Sequence, residues 1–132
     1  MPALHSPRQA TADPWFDSEP AQGLYRLEQQ LLLPRLSALP TQPWLWVAPS
    51  ARWLDGAQLT GRGLRLHRQD PGYAGQARCT LPLPLADESV NAIVLQHVTA
   101  ADAADLLAEC ERVLMPGGRL FLTTLNPFSP FR

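Results

Sequence analysis

Apolar residues along the chain fall into short runs and helical patterns that alternate with one another. Short apolar or alternating runs predict strands at residues 44–47 (WLWV), 63–67 (GLRLH), 90–98 (VNAIVLQHV) and 119–125 (RLFLTTL), and a marginal strand at 77–80 (ARCT). Residues 69–76 lack such a pattern and are expected to form a loop. Because strands alternate with helices, the pattern predicts an α/β fold with a mainly parallel sheet.

The first helical pattern follows a polar N-terminal stretch. Leu24, Leu27 and Leu31 recur at helical spacing, and Ser18 is a candidate N-cap before them. Pro34 is expected to kink or end this helix, because proline lacks the backbone N–H and clashes with the preceding turn.

The second helical pattern predicts a helix over about residues 101–114. Thr99 followed by Asp102 resembles a capping box at its start, and the Pro-Gly-Gly at residues 116–118 is expected to end it. The predicted apolar face consists of Ala103, Leu106, Leu107, Cys110, Val113 and Leu114.

Composition is that of one globular domain. The 132 residues are 45% hydrophobic and 17% charged, with a net charge of −1. Residues 1–16 are expected to form a flexible N-terminal arm, and residues 17–132 a single domain. The absence of a basic cluster argues against nucleic-acid binding, and no apolar run is long enough to span a membrane.

Cysteine and histidine give no metal or disulfide signal. Cys79 and Cys110 have neither a disulfide framework nor ligand spacing, which favours a reduced, cytoplasmic setting. His5, His67 and His97 are scattered, so no metal site is predicted.

The second half of the chain carries an ordered set of motifs. Residues 83–98 (LPLADESVNAIVLQHV) precede the second helix, and residues 111–128 (ERVLMPGGRLFLTTLNPF) follow from its last turn. Their order and spacing resemble the class I S-adenosylmethionine-dependent methyltransferases, most closely the branch called methyltransferase type 11. The resemblance implies a three-layer Rossmann-like methyltransferase fold and S-adenosylmethionine as the cofactor. Within the motifs, Asp87, Ser89 and the two glycines are interpreted mainly as turn-forming scaffold.

The resemblance also indicates where the cofactor would bind, beginning with the loop after the first strand. The family has an acidic residue in that strand and then a glycine-rich loop. Here Trp46 takes the acidic position, Ala48 and Ser50 take the first two glycine positions, and Arg52 takes the third. The cofactor loop is therefore degenerate.

Two further cofactor positions also differ from the family pattern. The family places Asp or Glu after the second strand to bind the ribose hydroxyls, where this chain has His67. Near the third strand, Cys79 and Thr80 replace the Asp that accepts from adenine, and a thiol is a poor acceptor. The missing contacts predict cofactor binding weakened by about two to four orders of magnitude.

Gln96 and His97 follow the fourth strand, at the sheet edge where open α/β folds bind ligands. His97 is the candidate catalytic base, and Gln96 is a candidate orienting and cofactor-binding group. Three functions remain open. The first is methyl transfer from S-adenosylmethionine to an unidentified acceptor. The second is a non-catalytic methyltransferase-like interaction module, and the third is a remnant without activity.

The family normally continues beyond the fifth strand with another helix and an antiparallel strand pair. The chain is therefore expected to be a truncated domain that lacks the family's C-terminal strands. The fifth strand would then lie at an edge of the sheet with Leu120, Leu122 and Leu125. Because an exposed apolar edge tends to pair with another chain, a homodimer or a protein partner is expected there.

Overall fold

The computed structural model describes residues 13–38, 43–54 and 62–124. Within these ranges the chain forms two α-helices, five strands and two short 3-10 turns. In chain order they are the turn Pro14–Asp17, α1 (Glu19–Ser37), β1 (Trp44–Ala48), the turn Ala51–Leu54, β2 (Gly63–Gln69), β3 (Gly72–Gly75), β4 (Val90–Gln96), α2 (Ala100–Val113) and β5 (Leu114–Thr123).

The strands form one sheet in the order β3-β2-β1-β4-β5. β1 pairs in parallel with both β2 and β4, and β4 pairs in parallel with β5, whereas β3 runs antiparallel to β2. α2 makes the crossover that the parallel pair of β4 and β5 requires. These pairings confirm the predicted α/β fold with a mainly parallel sheet.

The two faces of the sheet are covered by different helices. Because successive strand residues point to opposite faces, β1 turns Trp44 and Trp46 towards α1 and turns Leu45 and Val47 towards α2. The α2 side is filled by Leu106, Cys110 and Val113. β1 is buried at every position, as expected of a central strand covered on both faces. The predicted three-layer arrangement is therefore confirmed.

α1 begins as predicted but ends later. The Ser18 hydroxyl accepts a hydrogen bond from the Ala21 N–H at 3.4 Å and caps the helix. Of the two effects expected of Pro34, the end of the helix is wrong, because the helix continues through this proline to Ser37.

The buried face of α1 also differs from the predicted one. Leu24 is buried, but Leu27 and Leu31 are 48% and 55% exposed. The buried positions follow the i, i+4 row instead, which contains Leu24, Glu28, Leu32 and Leu36. The apolar spacing permitted either row, and packing against the sheet selected this one.

The segment after β2 contains a strand where the sequence indicated a loop. Residues 69–76 were expected to be irregular, yet Gly72–Gly75 forms β3 along the edge of β2. The predicted strand at residues 77–80 is wrong, because Cys79 makes a single isolated bridge to Tyr73. β3 has no alternating pattern of its own, and its pairing with β2 determines its conformation.

The start of α2 lacks the predicted capping box. Thr99 is the N-cap residue, but its side chain makes no capping hydrogen bond. The Asp102 carboxylate instead accepts from Arg68 Nε at 2.9 Å. On the predicted apolar face, Leu107 is 40% exposed.

The predicted range of α2, about residues 101–114, agrees with the observed helix, but the Pro-Gly-Gly does not form its end. The helix ends at Val113 and β5 begins at once, so the Pro-Gly-Gly lies inside the strand. Gly117 has φ +81, which favours glycine, and the pairing of β5 with β4 shifts register between Val90 and Ala92. The glycines therefore shape an irregular strand rather than a helix end.

The motif loop before β4 is tied to α2 by Arg112. Its guanidinium donates to the Leu83 and Leu85 carbonyl oxygens at 3.1 and 2.9 Å and to Asp87 Oδ1 at 2.8 Å. Glu109 accepts from the Leu83 N–H at 2.7 Å. These contacts give Asp87 a structural role, as the sequence indicated.

The predicted arm lies mostly outside the described residues, which begin at residue 13. Its last part, in the turn Pro14–Asp17, packs against the domain with Phe16 buried beside Trp53. At the other end, Leu125 lies outside the described residues, whereas Leu120 and Leu122 are on the edge strand β5 and are 40% and 52% exposed.

Candidate functional site

A cleft lies at the carboxyl ends of β1 and β4. These adjacent parallel strands are followed by connections that lead to opposite halves of the sheet, β1 to β2 and β4 to β5. Such a switch point is where open α/β sheets bind ligands. The cleft is narrow: its cavity volume is about 30 Å³, and about 350 Å³ is reached only when the gaps between atoms and the open mouth are counted. Its lining includes Phe16, Ala48, Pro49, Arg68, Gln96 and His97.

An adjoining groove extends the cleft past the end of β2. The groove shares Asp13, Pro49 and Arg68 with the cleft. It continues to Ser50 and His67, among other residues. Together, the cleft and groove run along the carboxyl edge of three neighbouring strands.

A buried polar network lies beneath the cleft and joins three elements. Trp46 of β1 donates from Nε1 to Gln96 Oε1 at 2.7 Å. Gln96 Nε2 donates to Glu28 Oε1 of α1 at 3.2 Å, and Glu28 Oε2 lies 2.6 Å from His97 Nε2. Gln96 is 1% exposed, so the polar atoms of its amide are bonded inside the protein. The network holds α1 against the end of β4.

The backbone and ring of His97 are held by separate contacts. The residue has φ +54, an unusual conformation for a side chain of this size, and its N–H donates to the Thr123 carbonyl oxygen at 2.9 Å. The imidazole packs beside Phe16 and Trp53, with ring centroids 5.2 and 5.3 Å away.

Three buried polar atoms near the ends of β4 and β5 have no hydrogen-bond partner in the described part of the chain. They are His97 Nδ1, Thr99 Oγ1 and Thr123 Oγ1. Buried polar groups are usually paired in folded proteins. Their position at the carboxyl edge of the sheet makes them candidates for contact with a ligand.

Arg68 forms the far wall of the cleft and is surrounded by acceptors. Besides Asp102, it pairs with Asp70 Oδ1 at 3.2 Å and donates to the Gly72 carbonyl oxygen, while its guanidinium lies over the Tyr73 ring. Burial, assisted by the nearby Asp102 carboxylate, raises the pKa of Tyr73 to about 12. The carboxylates of Asp70 and Asp102 thus balance the charge of Arg68, and Asp70 is already paired with its guanidinium.

The predicted site residues fall into three groups, of which two line the cleft and the groove. The structure brings Ala48, Gln96 and His97 together around the cleft, and it places Ser50 and His67 along the groove. Ala48 is buried where the chain leaves β1 and lines the cleft there. His67 has its Nδ1 3.2 Å from the Arg68 carbonyl oxygen.

Cys79 and Thr80 line neither the cleft nor the groove. Cys79 is half-buried, and burial raises the pKa of its thiol. Thr80 is exposed. Their role as cofactor contacts stays a prediction. The structure does not place them in the cleft or the groove with the other five predicted site residues.

The sequence did not single out Glu28 or Phe16. Glu28 nevertheless carried a signal, because it is a carboxylate at i, i+4 spacing between Leu24 and Leu32, inside an apolar row. A charge in such a row is rarely left buried without a partner. Phe16 had no comparable signal, since it lies in a polar and proline-marked segment.

Other kinds of site find no support in the part of the chain that the structure describes. No group of three or more His, Cys, Asp or Glu side chains there is placed to hold a metal ion. Neither α1 nor α2 is both long and apolar enough to cross a membrane.

Comparison with known proteins supports the interpretation of the motifs. Residues 54–122 match a family model described as a methyltransferase domain, which is slightly more than half of the chain. No curated protein and no solved structure matches the chain. The matched region contains β2, β3, β4 and α2 and most of β5, the elements that the motifs predicted or that pair with them. The chain therefore belongs to the methyltransferase domain family.

Proposed function

We propose that this protein is an S-adenosylmethionine-dependent methyltransferase-like protein that binds its cofactor weakly, in the cleft between β1 and β4. The observation that supports this best is the position of the cleft at the switch point of the sheet, with Ala48, Gln96 and His97 around it. Members of the family generally use S-adenosylmethionine.

The residues around the cleft fit this cofactor in position but only in part in chemistry. The unpartnered Nδ1 of His97 and hydroxyl of Thr99 offer polar contacts to a bound molecule. The loop after β1 is less suitable, because Pro49 has no N–H to donate and Ser50 is buried. At the end of β2, His67 takes the position of the carboxylate that would bind the ribose, and the residue after it is the cationic Arg68.

These differences set the expected affinity. A hydrogen bond to a charged group contributes about 1.5–3 kcal/mol, so the loss of two such bonds weakens binding by roughly two to four orders of magnitude. We expect a dissociation constant of about 100 μM or weaker.

S-adenosylmethionine supplies an activated methyl group when it is bound, and the protein's part is to orient the acceptor and receive its proton. His97 Nδ1 has no partner among the described residues, so it is free to accept that proton. Gln96 is held by Trp46 and Glu28, which suits it to support the cleft wall.

Isothermal titration with S-adenosylhomocysteine tests this proposal. His67→Ala removes a groove side chain, and we expect it to weaken the binding further. Arg78→Ala is the matched control, because Arg78 is exposed and lines neither the cleft nor the groove. Submicromolar binding to the unmodified protein would overturn the proposal, as would equal losses in the two variants.

A second function is favoured by the apolar surface around β5. Leu120 and Leu122 of this edge strand are 40% and 52% exposed, and they face a groove whose other wall includes Leu31 of α1, 55% exposed. We propose that a second copy of the chain binds here, with the two β5 edges pairing about a two-fold axis. The pairing meets little charge repulsion, because Arg119 is the one charged residue of β5.

Light scattering after size exclusion at micromolar concentration tests the dimer. Leu122→Lys is expected to give a monomer, because it places a charge in the paired edge. Leu27→Lys is the control, since Leu27 is also an exposed leucine but lies outside the β5 groove. A monomeric unmodified protein would contradict the proposal, and so would a Leu122→Lys variant that stays dimeric.

A further inference from the structure

Glu28 and His97 form a close buried pair between α1 and the loop after β4. Glu28 Oε2 lies 2.6 Å from His97 Nε2, and their side chains are 9% and 3% exposed. Glu28 Oε1 accepts from the Gln96 amide. A buried carboxylate is costly without hydrogen-bond donors, and this one has a donor at each oxygen.

The pair determines which imidazole nitrogen carries the proton. An ionised carboxylate is an acceptor only, so the short contact with an ionised Glu28 places a proton on Nε2. Nδ1 is buried and has no partner in the described residues. A second proton there would create a buried cationic N–H without an acceptor, which costs more than an unpaired lone pair. The geometry therefore favours the tautomer of His97 with its proton on Nε2 and a lone pair on Nδ1.

The conformation of His97 indicates that this orientation is imposed by its surroundings. A non-glycine residue at φ +54 is held there at a cost, which neighbouring contacts offset. The N–H bond to Thr123 fixes the backbone, Phe16 and Trp53 flank the ring, and Glu28 fixes its rotation.

We propose that Glu28 is a positioning residue that holds His97 in the Nε2–H form, so that Nδ1 accepts the proton of a hydroxyl or amine group on the methyl acceptor. The role rests on the proposed methyltransferase function. The proton that leaves the acceptor's oxygen or nitrogen goes to Nδ1. The resulting imidazolium lies next to the Glu28 carboxylate, which stabilises its charge.

The protonation of His97 is measurable by ¹⁵N nuclear magnetic resonance of the histidine rings in the free protein, near pH 7.5. We expect a proton on Nε2 and an unprotonated Nδ1 in the unmodified protein, and a loss of this preference in Glu28→Ala. Glu28→Gln replaces the acceptor-only carboxylate with an amide that can donate to Nε2, so it should also lose the preference, and it keeps the test valid if Glu28→Ala does not fold. Glu19→Gln is the matched control, because Glu19 is an exposed carboxylate at the start of the same helix.

Addition of phenol and of aniline, which are neutral donors at this pH, tests the acceptor role of Nδ1. We expect the Nδ1 signal to shift in the unmodified protein and in Glu19→Gln but not in Glu28→Ala or Glu28→Gln. A proton found on Nδ1 would overturn the proposal, and so would a ring unchanged by both Glu28 variants or a Nδ1 signal that neither probe moves. Neither experiment includes S-adenosylmethionine. A failure of the protein to bind this cofactor would therefore be a separate result from a failure of the Glu28 proposal.

Discussion

Replacing Trp46 with Phe is expected to lower the free energy of unfolding by about 2–5 kcal/mol. Trp46 is fully buried, and its indole N–H bonds to Gln96 Oε1 at 2.7 Å. Loss of the donor leaves a buried acceptor unpaired, which costs about 1–3 kcal/mol. The smaller ring also removes buried apolar atoms, for about 1–2 kcal/mol more.

The change Gln96→Leu addresses the same bond from the other side. It leaves the Trp46 N–H unpaired and removes the amide donor to Glu28, so we expect a loss of about 2–4 kcal/mol. In the double variant the Trp46 N–H and the Gln96 Oε1 are both absent, and only Glu28 Oε1 still lacks its donor. The double variant should therefore cost about 1–2 kcal/mol less than the sum of the single changes.

Urea unfolding followed by circular dichroism measures these differences, provided that the slope with denaturant concentration is unchanged among variants. Leu106→Ala is the control partner, because Leu106 packs on the opposite face of the sheet. Its combination with Gln96→Leu should be additive within about 0.5 kcal/mol. Additive costs for Trp46 and Gln96 would refute the reasoning, since they would show that the bond contributes nothing to the fold.

Three further outcomes are expected. Burial raises the pKa of Cys110 to about 11, so at pH 8 a thiol reagent should modify half-buried Cys79 first and reach Cys110 only on unfolding; equal rates would contradict this. The hydrogen bond from Arg112 lowers the pKa of Glu109 below its ordinary value near 4.5, because it favours the ionised carboxylate. The bond therefore stabilises the folded protein at pH values above that ordinary pKa. This contribution is lost as the pH falls through the lower pKa that Glu109 has in the folded protein. Glu109→Gln should therefore show a weaker loss of stability on acidification, and an unchanged profile would argue against the pair. Leu106→Ala alone should cost about 3–5 kcal/mol in urea unfolding, and a cost below about 1 kcal/mol would contradict its placement in the core.

The sequence was informative where one local signal dominated. The apolar run that contains Ile93 and Val94 predicted β4, because a β-branched run of this length suits a strand buried on both faces. The apolar positions of α2 predicted a helix, although Leu107 of the predicted face is exposed. Sequence also indicated the carboxyl end of β4 as a candidate site, because strand order alone determines where that edge lies.

Other features depend on contacts that no local pattern carries. Tyr73 and its glycine neighbours become β3 only by pairing with β2. The helical spacing of α1 left two rows open, and the sheet buries the row that contains Glu28 rather than the one that contains Leu27 and Leu31. The bond between Glu28 and His97 joins residues 69 positions apart, so it requires the folded structure.

The most direct test of the central claim is a titration of ¹⁵N-labelled protein with S-adenosylhomocysteine, followed by amide chemical shifts. If the cleft is a weak cofactor site, the amides of Ala48, Gln96 and His97 should shift together, with a dissociation constant of about 100 μM or weaker. Submicromolar binding would contradict the loss of cofactor contacts. No shift at millimolar concentration, or shifts confined to residues remote from the cleft, would contradict the site itself.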